Sequence, residues 1–293
     1  YLVRFSGGTA DTVFGLIDKH GMDVPRVRAG WIQGAHTPDA LRTIENRARQ
    51  WACYGAAGEV LDRAGAAALM GTDRYLGGWV DTRGGVIQPL SFVRGLAQAA
   101  LVAGARIHTD SPVAALTREG TQWTARTVGG AQVNADRVVI CTNAYVGNLW
   151  PGLQQSIIDI GSYQVATRPL PPGIRATIMP KGHYVSDSRT LVLYFRLDHE
   201  GRLLMGGRGP FREPKGPGDW AHLERVLAKM YPQAAGQPIE YRWCGRVAVT
   251  RDYLPHLHEP APGLLVDIGC QGRGVGLQTA MGQVMAQYLV SGD

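Results

Sequence analysis

Four glycines lie within eight residues near the end of the chain, in the segment Gly269–Gly276. An apolar, strand-like segment (263–268) precedes them, and a helix-like segment (278–289) follows. Glycine allows a ligand to approach the backbone closely, and the first turn of a helix presents N–H groups to such a ligand. This spacing therefore indicates a cofactor site. An ordinary tight turn is the alternative, because one glycine-rich turn between a strand and a helix is a weak signal on its own.

A second segment that could contact a ligand is Cys141–Ala144, which follows the apolar run Val138–Ile140. A continuous apolar run is typical of a strand that is buried on both faces. Open α/β sheets bind their ligands at the carboxyl ends of such strands. The sequence therefore predicts that the small polar residues Thr142 and Asn143 lie beside a ligand.

The helices that position these segments are predicted from apolar residues that recur every three or four positions. The clearest start is Thr37 followed by Pro38, because an N-cap residue precedes a first-turn proline. The clearest end is Gly104, which follows an apolar helix. The segment Gly77–Gln88 is rich in glycine and is expected to be a connector. The predicted helices are Thr9–His20, 37–53, Glu59–Met70, 89–102 and Trp220–Met230.

The arrangement of strand-like segments divides the chain into three parts. A meander that leads into Val138–Ile140 is expected within 1–150, and mainly antiparallel strands are expected within 151–260. The segment 261–293 returns to a strand, a loop and a helix. The sequence therefore predicts an α/β plus α+β fold with these three domains, the last packing against the first. The predicted strands are 27–32, 105–109, 113–117, 122–128, 132–141, 162–167, 183–186, 191–196, 203–206 and 239–243.

The basic residues are scattered along the chain. The net charge is +6, from 30 Lys and Arg against 24 Asp and Glu, and no run of five or six basic residues occurs. Because nucleic-acid-binding proteins concentrate such residues with aromatics between them, a nucleic-acid partner is not expected. No apolar stretch approaches the roughly 18 residues needed to span a bilayer, so no transmembrane segment is expected.

Cysteines and histidines are also dispersed. No C-x-x-C pair occurs, so a zinc site or a disulfide framework is not expected, and a reducing compartment such as the cytoplasm fits better. His183, His256 and His258 lack the spacing of metal ligands and are interpreted as structural or surface groups. The four cysteines are Cys53, Cys141, Cys244 and Cys270.

Several longer motifs occur in a recognisable order along the chain. A helix leads to Gly104–His108, a meander ends in Val138–Ala144, and Trp243–Pro255 contains the pattern W-x-G…D-x-x-P. Together with the loop Gly269–Leu277, these motifs resemble the flavoproteins of the glycine oxidase and D-amino-acid oxidase family. The resemblance implies an FAD-dependent oxidoreductase acting on a C–N bond: an amine gives up a hydride to the flavin, and the resulting imine hydrolyses.

Shorter motifs narrow the resemblance to the branch that includes the gamma-glutamylputrescine oxidoreductases. The implied substrate is then an amine or polyamine derivative, in polyamine catabolism, with oxygen or another acceptor taking the electrons. D-amino acids, glycine or sarcosine are the alternatives within the family. The shorter motifs are Trp79–Asp81, Gly84–Gly85, Pro89–Leu90, Leu149–Leu153, Gln164–Thr167, Tyr194–Arg196, Gly206–Gly209 and Leu254–His256.

The fold implied by the resemblance is the C-terminal portion of a two-domain FAD/NAD(P)-binding flavoprotein with an antiparallel-sheet substrate domain. Members of the family begin with a strand, a G-x-G-x-x-G turn and a helix that hold the pyrophosphate of FAD. No such motif occurs here, and Gly7-Gly8 is too short to replace it. The chain is therefore expected to be a truncated piece that binds FAD weakly or not at all by itself.

Two groups of residues match the flavin segments of the family. Arg273 is the candidate for stabilising reduced, anionic flavin, and a solvent-facing loop arginine is the alternative. The residues that match the nucleotide half of the site are Val113, Thr142, Asn143 and Ala144. The residues expected near the isoalloxazine ring are Gly269, Gly272, Arg273, Gly274 and Val275.

Residues of the expected antiparallel sheet are the candidates for the substrate pocket. Amino-acid-oxidising members clamp the substrate carboxylate with an arginine in the W-x-G segment. Val247 occupies that position here, and Arg246 faces the other way on a strand, which favours an amine substrate. The lysine that promotes reaction with oxygen in sarcosine-oxidase-like relatives falls near Leu204, so oxidase and dehydrogenase both stay open. The pocket candidates are Tyr184, Arg196, Arg208, Trp243 and Arg246, with plain core packing as the alternative for the aromatics.

No catalytic acid, base or metal ligand is identified, which agrees with chemistry carried by a cofactor. The alternative of another class is a non-catalytic module that keeps the fold but no longer binds FAD. Such a module has no need for Gly272–Gly274 or for Thr142 and Asn143. A flat, apolar surface where the nucleotide-binding unit packs would indicate a truncated protein, whereas a polar surface would favour an evolved short form.

Overall fold

The computed structural model of the protein describes residues 2–291, which form two compact units. The large-sheet unit contains 2–95 and 161–245. The second unit contains 96–160 and 246–291. It includes the loop Gly269–Arg273, called here the glycine loop, and is therefore called the glycine-loop unit. This division differs from the one drawn from the sequence, because strands from the start of the chain pair with later ones in a single sheet.

The six predicted helices are present, one of them with a later start, and two short helices, Leu2–Gly7 and Pro172–Arg175, were not predicted. Thr37 caps α3 as predicted, since its hydroxyl accepts a hydrogen bond from the backbone N–H of Ala40 at 3.2 Å. The predicted helix Glu59–Met70 is wrong in its first turn, because Asp62 caps a later start and the preceding residues form a strand. The helices are α1 Leu2–Gly7, α2 Thr9–Lys19, α3 Pro38–Ala52, α4 Arg63–Met70, α5 Pro89–Val102, α6 Pro172–Arg175, α7 Ala221–Met230 and α8 Gly274–Ser291.

The strands include most of those expected, and three expected segments differ. The strand expected at 27–32 is divided between Arg26–Val27 and Trp31–Ala35, which belong to different sheets. Residues 105–109 form no strand, and the expected strand at 132–141 is divided between two sheets. The strands are β1 Arg26–Val27, β2 Trp31–Ala35, β3 Gly58–Leu61, β4 Gly77–Asp81, β5 Val86–Ile87, β6 Val113–Glu119, β7 Gln122–Thr127, β8 Gln132–Ala135, β9 Val138–Ile140, β10 Ile158–Pro169, β11 Tyr184–Asp187, β12 Tyr194–Leu197, β13 Arg202–Arg208, β14 Ile239–Val249, β15 His256–Ala261 and β16 Leu264–Ile268.

The expected connector at Gly77–Gln88 is wrong over its first part, because Gly77–Asp81 is the buried strand β4. This strand lies between β2 and β3. A Cβ atom at Gly77 would come within 2.5 Å of the Leu61 carbonyl oxygen, and one at Gly78 within 2.6 Å of the Gln33 carbonyl oxygen. The glycines therefore permit close approach of neighbouring strands, a use of glycine that local turn propensity does not reveal.

The large-sheet unit is built on an eight-stranded sheet with the order β14-β10-β13-β12-β11-β2-β4-β3. The pairing of β11 with β2 is parallel, and the pairings with stated registers on either side of it are antiparallel. One face of the sheet packs Val185, Phe195 and Met205 against the apolar side of α7. Tyr231, which follows α7, is fully buried and donates a hydrogen bond to the Met70 carbonyl oxygen at 3.0 Å.

The glycine-loop unit contains two three-stranded sheets, β15-β16-β9 and β6-β7-β8. The pairing of β16 with β9 is parallel. The hydrophobic core of this unit includes Ile140, Leu264 and Val266. The expectation that Val138–Ile140 is buried on both faces holds only for Ile140. Val139 is 36% exposed, because β9 is the last strand of its sheet within the described residues.

Candidate functional site

The loop between β16 and α8 holds an unusual backbone conformation. Gly269 and Gly272 have positive φ angles of 87° and 75°, and Gln271, which has a Cβ atom, has a φ of 53°. Side-chain hydrogen bonds hold this conformation: the Gln271 amide donates to the hydroxyl of Thr250 at 2.6 Å and to the Leu254 carbonyl oxygen at 3.2 Å. Strained residues of this kind concentrate at ligand sites, where the surrounding contacts fix them.

Asn143 fixes the start of the same loop. Its side-chain oxygen accepts hydrogen bonds from the backbone N–H groups of Gly269 at 3.1 Å and Cys270 at 3.4 Å. Its amide nitrogen donates to the Cys270 sulfur at 3.0 Å. Asn143 has a φ of 47°, a conformation that asparagine tolerates better than most residues. Its side chain therefore positions the loop through direct contacts.

The first turn of α8 presents unused hydrogen-bond donors. The N–H groups of Gly274, Val275 and Gly276 have no acceptor among residues 2–291, as expected for the start of a helix. A Cβ atom at Gly272 would meet only Val247, at 3.8 Å. The backbone here is thus open to a ligand, and the positive end of the helix dipole favours an anionic group.

The remaining cofactor candidates occupy different environments. Arg273 is exposed in the loop, and its guanidinium forms no hydrogen bond or ion pair within the described part of the chain. Thr142 is exposed just after β9, whereas Ala144 is buried in the core. Val113 is 40% exposed at the start of β6. The structure brings Asn143 into contact with the loop Gly269–Arg273, and the assignment of all these residues, Asn143 included, to FAD stays a prediction.

Asp267 is a buried carboxyl group close to the loop that the sequence did not single out. Burial raises the pKa of Asp267 to about 6, and the hydrogen bond with Gln278 opposes this shift. With its amide nitrogen turned toward the carboxylate, Gln278 donates to the two oxygens at 3.1 and 2.6 Å. Burial, and then the charge of Asp267, raise the pKa of the Cys141 thiol.

Two of the pocket candidates lie on the face of the large sheet that is opposite the α7 core. Tyr184 and Arg196 alternate with the core residues Val185 and Phe195, so their side chains project from the other face. The Tyr184 ring stacks on Trp31 with centroids 6.4 Å apart. Burial, and then the charge of Asp81, raise the pKa of Tyr184 to about 12. Burial lowers the pKa of Arg196.

Tyr194 shares this face and was not predicted as a site residue. A Cβ atom at Gly206 would come within 1.9 Å of the Tyr194 ring, so the glycine leaves room for the ring to lie across β13. The hydroxyls of Tyr194 and Ser162 are 2.5 Å apart. A glycine opposite an aromatic residue is the sequence signal for this arrangement, but it requires the strand register to be known.

Arg208 and Trp243 also belong to the large-sheet unit. The Arg208 guanidinium carbon lies 4.4 Å from the centroid of the Phe211 ring, and its buried Nε has no hydrogen-bond partner. The backbone oxygen of Trp243 accepts a hydrogen bond from the Trp220 indole at 3.0 Å, while the Trp243 side chain is partly exposed. Both residues stay candidates for the substrate pocket.

Arg246 belongs to the glycine-loop unit and is already engaged. Its guanidinium donates to both carboxylate oxygens of Asp159 at 2.6 Å, and its backbone N–H donates to the Tyr145 hydroxyl at 3.0 Å. A role in substrate binding would require it to share or exchange these contacts. None of the helices within residues 2–291 combines the length and hydropathy needed to cross a membrane, and those residues contain no metal-binding group of three or more His, Cys, Asp or Glu.

Comparison with known proteins identifies similar sequences over nearly the whole chain. The model of the DAO family, described as FAD dependent oxidoreductase, matches residues 1–288. A probable oxidoreductase OrdL from Rhizobium meliloti is 31% identical over 279 residues, which cover 94% of this chain and 64% of that protein. Gamma-glutamylputrescine oxidoreductase from Escherichia coli is 31% identical over 268 residues, 89% of this chain and 62% of that protein. The chain thus spans less than two thirds of the length of these relatives.

Solved structures agree with the expected fold. Glycine oxidase from Geobacillus kaustophilus matches with a TM-score of 0.81 at 21% identity, covering 97% of this chain and 76% of that one. L-proline dehydrogenase from P. horikoshii matches with a TM-score of 0.84 at 16% identity, covering 99% of this chain and 79% of that one. These likenesses confirm the predicted fold class, and the family match confirms the resemblance.

Proposed function

The chain belongs to the family of FAD-dependent oxidoreductases, and on that premise we propose that it oxidises a C–N bond of an amine or polyamine derivative. The observation that carries this proposal is the fixed loop Gly269–Arg273, which leads into the open first turn of α8. When bound, FAD would supply the hydride acceptor, and the imine product would hydrolyse in water. The residues of this chain would bind and orient the reactants.

The glycine loop has the properties that a flavin site requires. Gly272 and Gly274 leave space for a ring system beside the backbone, and the free N–H groups of α8 can donate to its anionic edge. Arg273 adds an exposed positive charge of the kind that stabilises reduced flavin. Asn143 and Gln271 act as positioning residues, because their hydrogen bonds hold the loop in its strained conformation.

An amine is favoured over an α-amino acid by the arrangement around β14. Val247 occupies the position where amino-acid-oxidising members carry a carboxylate-binding arginine, and Arg246 is paired with Asp159. Tyr184, Arg196, Arg208 and Trp243 are the proposed pocket residues. Leu204 is buried and apolar where the oxygen-reactive lysine of some relatives falls, so the proposed electron acceptor is oxygen or another molecule. The four free cysteines fit a reducing compartment such as the cytoplasm.

The visible absorption spectrum of the purified protein tests the proposal, first with added FAD and then with amines under anaerobic conditions. Binding shifts the flavin bands, and a gamma-glutamylated diamine is expected to bleach them faster than glycine, sarcosine or a D-amino acid. The variant Gly274→Leu, whose side chain fills the open backbone at the start of α8, should weaken FAD binding. Gly282→Leu, at a position in the same helix with open space around it, is the matched control.

The possible outcomes separate the alternatives. Bleaching by glycine, sarcosine or a D-amino acid alone would replace the amine with an amino-acid substrate. Flavin binding only by a longer protein that also carries the family's G-x-G-x-x-G unit would show that this chain needs that unit, whereas no flavin binding by either protein would contradict the proposal and favour the non-catalytic module. Bleaching that is equally fast for all these compounds would contradict the proposed pocket while leaving flavin binding intact.

A further inference from the structure

A cavity of about 480 Å³ is lined entirely by residues of the large-sheet unit. Its walls come from β1, β5, the segment from α6 to Gly182 and the end of β12. Apolar side chains such as Val27, Ile87 and Met179 form part of the lining, and three arginines, Arg26, Arg175 and Arg196, also face it. Sites for small organic molecules commonly have volumes of about 300–1,000 Å³ and combine apolar walls with a few charged groups.

Two of the three arginines have no ion pair among the described residues. Within residues 2–291, the side chains of Arg175 and Arg196 form no hydrogen bond and no ion pair. Arg26 differs, because its guanidinium donates to Asp18 at 2.7 Å. Arg175 is exposed, whereas Arg196 is half-buried. A guanidinium that is partly withdrawn from water without a directly paired carboxylate, as in Arg196, is unfavourable, and a bound anion relieves this penalty. Burial, which lowers the pKa of Arg196, shows that water is partly withdrawn from it.

The carboxylate that lines this cavity, Asp198, forms its hydrogen bonds with other residues. Asp198 lines the cavity and opposes the pKa shift of Arg196. Its oxygens, however, accept hydrogen bonds from the backbone N–H groups of Glu200 at 2.9 Å and Arg202 at 2.8 Å, and its carboxylate pairs with the Arg202 guanidinium at 3.5 Å. Asp198 therefore leaves the donors of Arg175 and Arg196 unoccupied.

Gly201 leaves the space that Arg175 occupies. A Cβ atom at Gly201 would come within 2.7 Å of the Arg175 Cδ and 2.9 Å of its Nη1. Gly201 also has a φ of 85°, which closes the turn after β12. This turn thus brings the stem of Arg175 against the wall of the cavity that also contains Arg196.

We propose that Arg175 and Arg196 bind the carboxylate of a small organic acid whose apolar part fills the rest of the cavity. A guanidinium presents parallel N–H donors that match a carboxylate, and the apolar walls favour an organic acid over an inorganic anion. The carboxylate belongs either to an acid group on the substrate or to a separate organic acid. This site does not depend on flavin chemistry.

Titration calorimetry of the unsubstituted chain with glutarate, without FAD, tests the proposal. Glutarate is expected to bind saturably, whereas the uncharged isostere glutaramide is not, and inorganic phosphate is expected to bind more weakly than glutarate. Arg196→Gln and Arg175→Gln should each weaken glutarate binding by about tenfold or more, because each removes a charged hydrogen bond. Arg196→Lys keeps the charge but loses the forked geometry and should give an intermediate loss.

Arg168→Gln is the matched control, because Arg168 is exposed in the same unit and does not line the cavity. It should leave glutarate binding unchanged. Absence of saturable binding, equal binding by all variants, or equal binding of glutaramide would overturn the proposal. If Arg196→Gln fails to fold by circular dichroism, Arg175→Gln decides the outcome, because Arg175 lies at the surface.

The source of the carboxylate is decided with the FAD-loaded protein and two amines, 5-aminopentanoate and pentylamine. If the acid group belongs to the substrate, Arg196→Gln raises KM for 5-aminopentanoate but not for pentylamine. Glutarate then also competes with 5-aminopentanoate in calorimetry. If the acid is a separate ligand, glutarate changes the rate of pentylamine oxidation without competing for the amine site. Both results support a carboxylate site and assign its occupant.

Discussion

The large-sheet unit and the glycine-loop unit fix their structures by different means. In the large-sheet unit, aromatic rings pack tightly on one face of an eight-stranded sheet, as Phe195 does between Tyr75 and Tyr231. In the glycine-loop unit, the sheets have three strands each, and apolar side chains such as Val139 and Val275 stay partly exposed. The first unit thus depends on packing throughout its core, whereas the loop of the second depends on a few hydrogen bonds.

This difference matches what each region is proposed to do. A broad, well-packed sheet holds side chains such as Tyr184 and Arg196 in fixed positions over one face. The loop after β16 must instead keep its backbone bare for a ligand, so it has little side-chain packing to hold it. Asn143 and Gln271 replace that packing with directional contacts. The hydrogen bonds of Asn143 and Gln271 therefore keep the loop ordered while its backbone stays open to a ligand. These two side chains are called the polar clamps of the loop.

The largest expected effect comes from removing an aromatic side chain of the large-sheet core. Phe195→Ala should destabilise this unit by about 3–5 kcal/mol, because the ring is 2% exposed and its loss leaves a cavity. Hydrogen exchange of β12 and β13 amides measures the loss within the unit. Tyr54→Ala, at an exposed position of the same unit, is the control. A loss below about 1 kcal/mol would contradict the packing explanation.

A smaller and more local effect is expected in the glycine loop. Asn143→Ala should cost about 1–3 kcal/mol, because it removes the acceptor for two buried N–H groups. The amides of Gly269 and Cys270 should exchange faster, while β13 amides remain protected. Asn143→Asp keeps the acceptor and should restore protection. Equal acceleration throughout the chain would show that the polar clamp is not local.

The most localised expected effect is the pH dependence that the single carboxyl group of Asp267 contributes. Burial raises the pKa of this carboxyl from an ordinary 3.8 to about 6, so the folded state holds the proton more tightly than the unfolded state. The resulting stability is fully present below pH 3.8 and is lost as pH rises through about 6. Asp267→Asn should abolish this loss. The stability of the variant, measured relative to the unsubstituted protein, should therefore be higher at neutral pH than at pH 4.

Urea unfolding of the glycine-loop unit across this pH range measures the effect, with hydrogen exchange of β16 amides as the local readout. Asp110→Asn is the control, because Asp110 is exposed in the same unit. Its slope of stability against pH should match that of the unsubstituted protein. A variant at residue 267 that keeps the original slope would assign the pH dependence to another group.

Much of the local structure follows from the sequence because its signals are local. The apolar periodicity and flanking residues predict α3 and α5 closely, and the Thr37 cap is seen as expected. The meander of β6 and β7 and the antiparallel strands β10 to β13 were also expected. The fold class was identified by the resemblance and is confirmed by the comparisons. The loop at Gly269 was predicted from its glycine spacing and lies between β16 and α8 as expected, while its role in binding FAD stays a prediction.

Other features could not be read from neighbouring residues. The glycines of β4 locally indicate a connector. They belong to a buried strand because β4 pairs with β2 on one side and with β3 on the other. The Asn143 clamp joins residues more than a hundred positions apart, and no local rule pairs Asn143 with Cys270. The same applies to Tyr194 and Gly206, whose contact depends on strand register.

The sequence by itself determined the longer helices, most of the strands, and the two segments that carry the candidate cofactor residues. These depend on the periodicity, capping and turn preferences of residues close together in the chain. Only the tertiary structure decided which strands share a sheet, which side chains hold the glycine loop, and which arginines face a cavity without a partner. Those outcomes depend on long-range pairing and on burial, because a side chain acquires its neighbours and loses its water only when distant segments meet.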